Sequence, residues 1–103
     1  MINLLPRHFE MLRKIFEEYC PKAEIWAYGS RVHGDSHEGS DLDMTVKSFN
    51  DPSKKLRELK ELLEDSRIPL LMDISEFDRL PSYFQEEIKK NYVILFPADK
   101  VPE

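Results

Sequence analysis

The chain has 103 residues, 20 of them acidic and 15 basic, for a net charge of −5. It has no basic run, so it is not expected to bind long nucleic acid, which needs a Lys/Arg surface for the phosphates. Its single cysteine, Cys20, excludes a disulfide framework, and no apolar run suggests a membrane span or a signal peptide, so a cytoplasmic location is expected. A chain of this length buries roughly 60% of its unfolded surface. One domain over 1–103, with one core and one site, is expected.

Phe9, Leu12, Phe16 and Tyr19 recur at helical spacing, which predicts an amphipathic helix over 5–19. Pro21 lies in the link to a short strand, Glu24–Tyr28, in which Trp26 and Tyr28 are expected to pack on the sheet. Gly29 ends that strand, and Ser30 is an N-cap for the turn Arg31-Val32-His33. The loop 34–40 is polar and is expected to order around a ligand. Asp41-Leu42-Asp43-Met44-Thr45-Val46 alternates polar and apolar residues, the period of a half-buried strand. Leu42, Met44 and Val46 take the core side, with Asp41, Asp43 and Thr45 opposite.

Asp51-Pro52 predicts a helix start, followed by an apolar stripe of Leu56, Leu59, Leu62 and Leu63 that runs to about Glu64. Pro69–Ser75 predicts a strand with Leu70, Met72 and Ile74 on one face and Leu71, Asp73 and Ser75 on the other. Leu80, Phe84 and Ile88 mark a long helix beginning near Pro81. Tyr92–Phe96 is a last strand, and Pro97 and Pro102 bracket a tail expected to be mobile. Strands and helices in this order imply an α/β (α+β) domain with one mixed β-sheet flanked by helices.

The chemistry concentrates in Gly29-Ser30-x10-Asp41-x-Asp43. Carboxylates at i and i+2 of a strand share one face, roughly 7 Å apart. They repel each other unless a cation lies between them. Mg²⁺ suits such a pair, because it takes few protein oxygens and completes its shell with water and substrate phosphates. A strand, a glycine turn and a helix start present free N–H groups to a phosphate. Ser30 can add its hydroxyl there, and Arg31 can approach a triphosphate. Asp73 interrupts an apolar run, which is costly unless it is paired or metal-bound. It is the natural third ligand, with Glu76 and Asp78 as weaker alternatives. His8, His33 and His37 have no metal-ligand spacing.

On these residues the chain resembles a minimal nucleotidyltransferase of the DNA polymerase β-like superfamily. Gly29, Ser30, Asp41, Asp43 and Asp73 match that family's motif, and Gly34 and Ser40 fall where many members have Gly and Ser. His33 departs from it, standing where many relatives carry Arg or Lys. The resemblance spans about Glu24 to Phe96 and implies the small nucleotidyltransferase fold. It implies that Asp41 and Asp43 bind Mg²⁺, two ions in all with Asp73, and that Asp73 helps activate the acceptor hydroxyl. Gly29, Ser30, Arg31 and Ser40 are then nucleotide-binding.

Small stand-alone members are often the antitoxin half of a toxin–antitoxin pair whose partner is a HEPN ribonuclease. Active ones transfer AMP from ATP to a tyrosine of that toxin. Two other expectations compete: a contact-only antitoxin without catalysis, and transfer to a small-molecule hydroxyl. With no second lobe in 103 residues, the acceptor grip is expected from a partner, a second copy, or both.

Overall fold

A computed structural model describes residues 4–29 and 41–97. Helix α1 spans Pro6–Tyr19, with proline in its first turn, where a missing N–H costs nothing. Its buried residues are His8, Leu12 and Phe16, four apart and therefore on one stripe. It ends at Cys20, whose N–H donates to the Phe16 carbonyl at 2.8 Å. Burial pushes the Cys20 thiol up to about 11, so it behaves as a packing residue and not as a nucleophile.

Strands β1 (Glu24–Tyr28), β2 (Leu42–Ser48), β3 (Met72–Glu76) and β4 (Tyr92–Phe96) form one sheet in the order β3-β2-β1-β4. β1 is antiparallel to both β2 and β4, and β3 runs parallel to β2. A parallel neighbour needs a crossover, and helix α2 (Leu56–Asp65) supplies it. The result is a mixed four-stranded α+β fold flanked by helices, as the residue pattern implied.

One face of the sheet turns Ile25, Ala27, Leu42, Met44, Val46, Ile74 and Leu95 onto Leu12 and Phe16 of α1 and Leu59 and Leu63 of α2. Phe16 meets Phe96 with ring centroids 5.6 Å apart. Among the described residues, the other face is covered over part of its area only. There Trp26 stacks on Tyr92 at 3.9 Å and meets Phe77 edge-on at 5.2 Å. Ile88 and Phe84 of helix α3 (Ser82–Lys90) close that second cluster.

Two element starts differ clearly from the sequence reading. The helix expected from Asp51-Pro52 begins at Leu56. The Asp51 carboxylate is taken up by a local turn, accepting from the Ser53 N–H at 3.0 Å and the Ser53 hydroxyl at 2.7 Å. The start of α2 is capped from outside instead. The Tyr19 hydroxyl accepts the Lys55 N–H at 2.9 Å and donates to the Glu58 carboxylate. Tyr19 thus links the N-cap amide to the N3 carboxylate, which approach each other directly in a capping box. A partner 36 residues away leaves no local signal.

The strand expected from Pro69 begins at Met72, because Leu70 turns back to donate to the Ile68 carbonyl. The third helix is preceded by a separate 3₁₀ turn, Phe77–Arg79, tied to α3 by Gln85, whose amide donates to the carbonyls of Phe77 and Leu80. No described helix is long and apolar enough to cross a membrane. The turn 31–33, the loop 34–40 and the tail beyond Pro97 lie outside the described residues.

Candidate active site

The sheet register assembles the site. Tyr28 at the end of β1 pairs with Asp43 on β2, and Asp43 pairs with Asp73 on β3. Three side chains from three neighbouring strands therefore form one row on the partly covered face. Neighbouring strands lie about 4.8 Å apart, so such a row holds its carboxylates close by construction. Asp41 is exposed just before β2, where the Leu42 N–H donates to the Leu71 carbonyl at 2.8 Å.

Gly29 follows β1 with φ +87°, a left-handed backbone. A Cβ placed on it would fall 2.5 Å from Oδ2 of Asp43. The glycine is thus required twice, once for the turn and once because the Asp43 carboxylate lies against its backbone.

Asp43 is half-buried, and its carboxyl is pushed above the ordinary aspartate range. Burial contributes most, followed by the charges of Asp73 and Asp41. Each effect disfavours the anion, and a cation bound among these groups would reverse the balance. That response fits the residues to a divalent ion. Among the described residues no set of three His, Cys, Asp or Glu side chains closes into a metal cage. The carboxylates instead form an open row, the form that suits Mg²⁺ held by one or two protein ligands and by substrate phosphates.

Tyr28 belongs to this site as much as to the sheet. Its ring meets Phe84 edge-on at 5.8 Å. Burial pushes its phenol up, and the Asp43 and Asp73 charges add to this, against a hydrogen bond with Ser75. Ser75 lies one rung along, paired with Thr45. The Ser75 hydroxyl donates to the Thr45 hydroxyl at 3.1 Å, which donates to the Ser75 carbonyl at 3.3 Å. A rung of hydroxyls therefore adjoins the carboxylates.

Sequence reasoning gave Tyr28 to sheet packing and Thr45 and Ser75 no role. The available signal was positional, since Tyr28 immediately precedes Gly29, and Thr45 and Ser75 lie two residues beyond Asp43 and Asp73. Glu76 is paired with Arg79 at 3.0 Å and Asp78 is exposed on the 3₁₀ turn, so neither joins the row. Ser30, Arg31, His33, Gly34, His37 and Ser40 lie outside the described residues.

Residues 10–101 match the family model described as Polymerase beta, Nucleotidyltransferase. A probable protein adenylyltransferase, MntA, of Haemophilus influenzae is 28% identical over 103 residues, covering 99% of this chain and 90% of that protein. A crystal structure of a toxin–antitoxin with AMP-PNP superposes with a TM-score of 0.65 at 20% identity, covering 89% of this chain and 73% of that one.

Proposed function

The chain belongs to the polymerase β nucleotidyltransferase family, and on that footing we propose that it is an antitoxin that transfers AMP from ATP to a tyrosine hydroxyl of a HEPN-type toxin. The observation that carries this reading is the register-paired Asp43 and Asp73 beside Gly29. Similarity to the MntA adenylyltransferase supports protein as the acceptor, and similarity to the toxin–antitoxin structure supports the toxin context.

In this reading Gly29, Ser30, Arg31 and Ser40 hold the triphosphate. Gly29 exposes backbone that a side chain would cover, next to the carboxylate that meets the phosphates. Two Mg²⁺ ions bound by Asp41, Asp43 and Asp73 would neutralise the triphosphate and the departing pyrophosphate. Asp43 is held by Gly29 on one side and by the β-ladder on the other, so it needs little reorganisation. Asp73 is exposed on an edge strand, open to an incoming acceptor, and accepts its proton. The acceptor oxygen bonds to the α-phosphorus, the bond to the bridging oxygen breaks, and pyrophosphate leaves. Tyr28 and the Thr45–Ser75 rung keep the row in place.

The test is intact-mass spectrometry of the HEPN-type partner after incubation with the chain, Mg²⁺ and ATP. The expected result is a gain of one or more AMP units. The pair Asp41→Ala, Asp43→Ala should remove the gain and leave co-purification, since two side chains are a small part of a standard interface. Suppression of the toxin by binding without any adduct would overturn transfer in favour of contact alone. An adduct on a small hydroxyl compound and none on the protein would overturn the choice of acceptor.

A further inference from the structure

Asp73 lies on β3, and β3 is an edge strand, with β2 on one side and no described strand on the other. The ladder fixes which backbone groups face outward. Leu42 donates to the Leu71 carbonyl, and Leu42 pairs with Met72 in an unbroken parallel register through Val46 and Glu76. In such a ladder alternate residues point their N–H and C=O to the same side. Leu71, Asp73 and Ser75 therefore bond inward to β2. Met72, Ile74 and Glu76 turn theirs outward, and none of these three appears in a turn, loop or cap hydrogen bond among the described residues.

The edge is short and carries Asp73 and Glu76, but two other usual guards are missing. It has no proline, and its register shows no bulge, although both pairings of β1 do. A cavity of about 370 Å³ runs beside it, between α2 at Leu63 and the segment from Ile68 to Ile74, and Asp73 lines its end. Leu71 is 65% exposed at the same place.

We infer that this edge receives an extended segment of the acceptor protein as a fifth strand, which sets a hydroxyl-bearing side chain beside Asp73. The inference rests on the transfer reading above and adds how the acceptor is held. An open row of amides and carbonyls recognises another extended backbone in preference to a helix or a small molecule. Side chains of an added strand alternate between faces. A hydroxyl residue level with Asp73 lies on the carboxylate face, one strand spacing away. Its two neighbours then point to the α2 side, where Leu63, Ile68 and Leu70 offer apolar contact. The segment this favours has an apolar–hydroxyl–apolar pattern. The other edge, β4, lies three strands from Asp73 and has no such relation to it.

The experiment uses the whole chain with Mg²⁺ and ATP and a seven-residue peptide of alternating valine and threonine around a central tyrosine. Two further peptides are N-methylated, one at the tyrosine and the residues two away, the other at the residues directly flanking it. Each keeps the hydroxyl and blocks one side of the strand. AMP incorporation into tyrosine is read by mass. One methylated peptide should lose about tenfold or more in labelling, the scale of two lost backbone hydrogen bonds, while the other stays near the parent.

Loss with flanking methylation indicates antiparallel addition, and loss with central methylation indicates parallel addition. Equal labelling of all three peptides overturns strand addition, as does labelling of none by a chain that binds Mg²⁺–ATP. The underlying reading is judged separately. A chain that binds no Mg²⁺–ATP, or that never labels its protein partner, brings down transfer itself.

Discussion

The two faces of the sheet use the same four strands for opposite purposes. On the α1/α2 face Leu12, Phe16, Ile25, Leu42, Met44 and Leu59 are fully buried. On the other face aromatic residues cover Trp26, and beyond them Tyr28, Asp43 and Asp73 form a partly open polar row. The strand period ties the faces together. Each apolar residue seated against a helix fixes its neighbour on the opposite side. The dry face sets the register, and the register sets the distances between carboxylates. The carboxylate row contributes little to stability and, through mutual repulsion, opposes it. Substitutions on the two faces should therefore separate stability from chemistry.

The largest expected effect is on the dry face. Phe16→Ala removes a fully buried ring that meets Phe96, and such truncations cost about 3–5 kcal/mol. Against a typical domain stability of about 5–15 kcal/mol, that is a large share. Urea unfolding should show a much lower midpoint, and nucleotide binding should fall only as far as the folded fraction falls. If Phe16→Ala kept its midpoint and lost nucleotide affinity, the division of labour between the faces would be wrong.

A smaller effect is expected where the faces meet the turn. Gly29→Ala places a methyl group 2.5 Å from the Asp43 carboxylate on a backbone with φ +87°. The left-handed conformation alone costs about 1–2 kcal/mol, and the carboxylate must also move. Thermal unfolding should shift modestly, while Mg²⁺–ATP affinity by calorimetry should drop by more than that shift explains. Unchanged affinity would show that the contact between Gly29 and Asp43 does not shape the nucleotide site.

Much of this was legible in the sequence because both signals are local. Alternation placed β1 and β4 at their observed limits and put Asp43 and Asp73 opposite Leu42 and Ile74. The Gly-Ser-x10-Asp-x-Asp spacing singled out Asp43 and an Asp inside an apolar run singled out Asp73, the two carboxylates that the register pairs. What stayed hidden depends on distant partners. Asp51-Pro52 carries the local signature of a helix start, yet Tyr19, 36 residues before Lys55, sets the start at Leu56. Tyr28 reads as packing because an aromatic residue in a strand is common, and only the sheet order shows its phenol beside two carboxylates and Ser75. The edge position of β3 likewise follows from strand order, which no residue pattern in β3 encodes.

The smallest expected effect is also the sharpest test of repulsion within the row. The folded-state carboxyl of Asp43 lies above its unfolded value, through burial and the neighbouring Asp73 and Asp41. A raised carboxyl binds its proton more tightly in the folded state. Its stabilising contribution is therefore complete below the ordinary aspartate value of about 3.9 and is lost as pH rises through the raised value. The amide introduced by Asp43→Asn does not titrate and has no such loss. In metal-free buffer the melting temperature of Asp43→Asn minus that of the wild type should grow as pH rises through this window and level off toward neutrality. About 1 kcal/mol moves a domain of this size by about 4–8 °C, and solvent screens a half-exposed group, so a few degrees is the scale to expect. Mg²⁺ at neutral pH should raise the wild-type melting temperature and leave the variant nearly unchanged, because a ligand that binds only the folded state stabilises it by mass action. An Asp43→Asn variant that is less stable than wild type at neutral pH without metal would mean that the carboxylate is held by attraction, and the row would then not be poised for a cation.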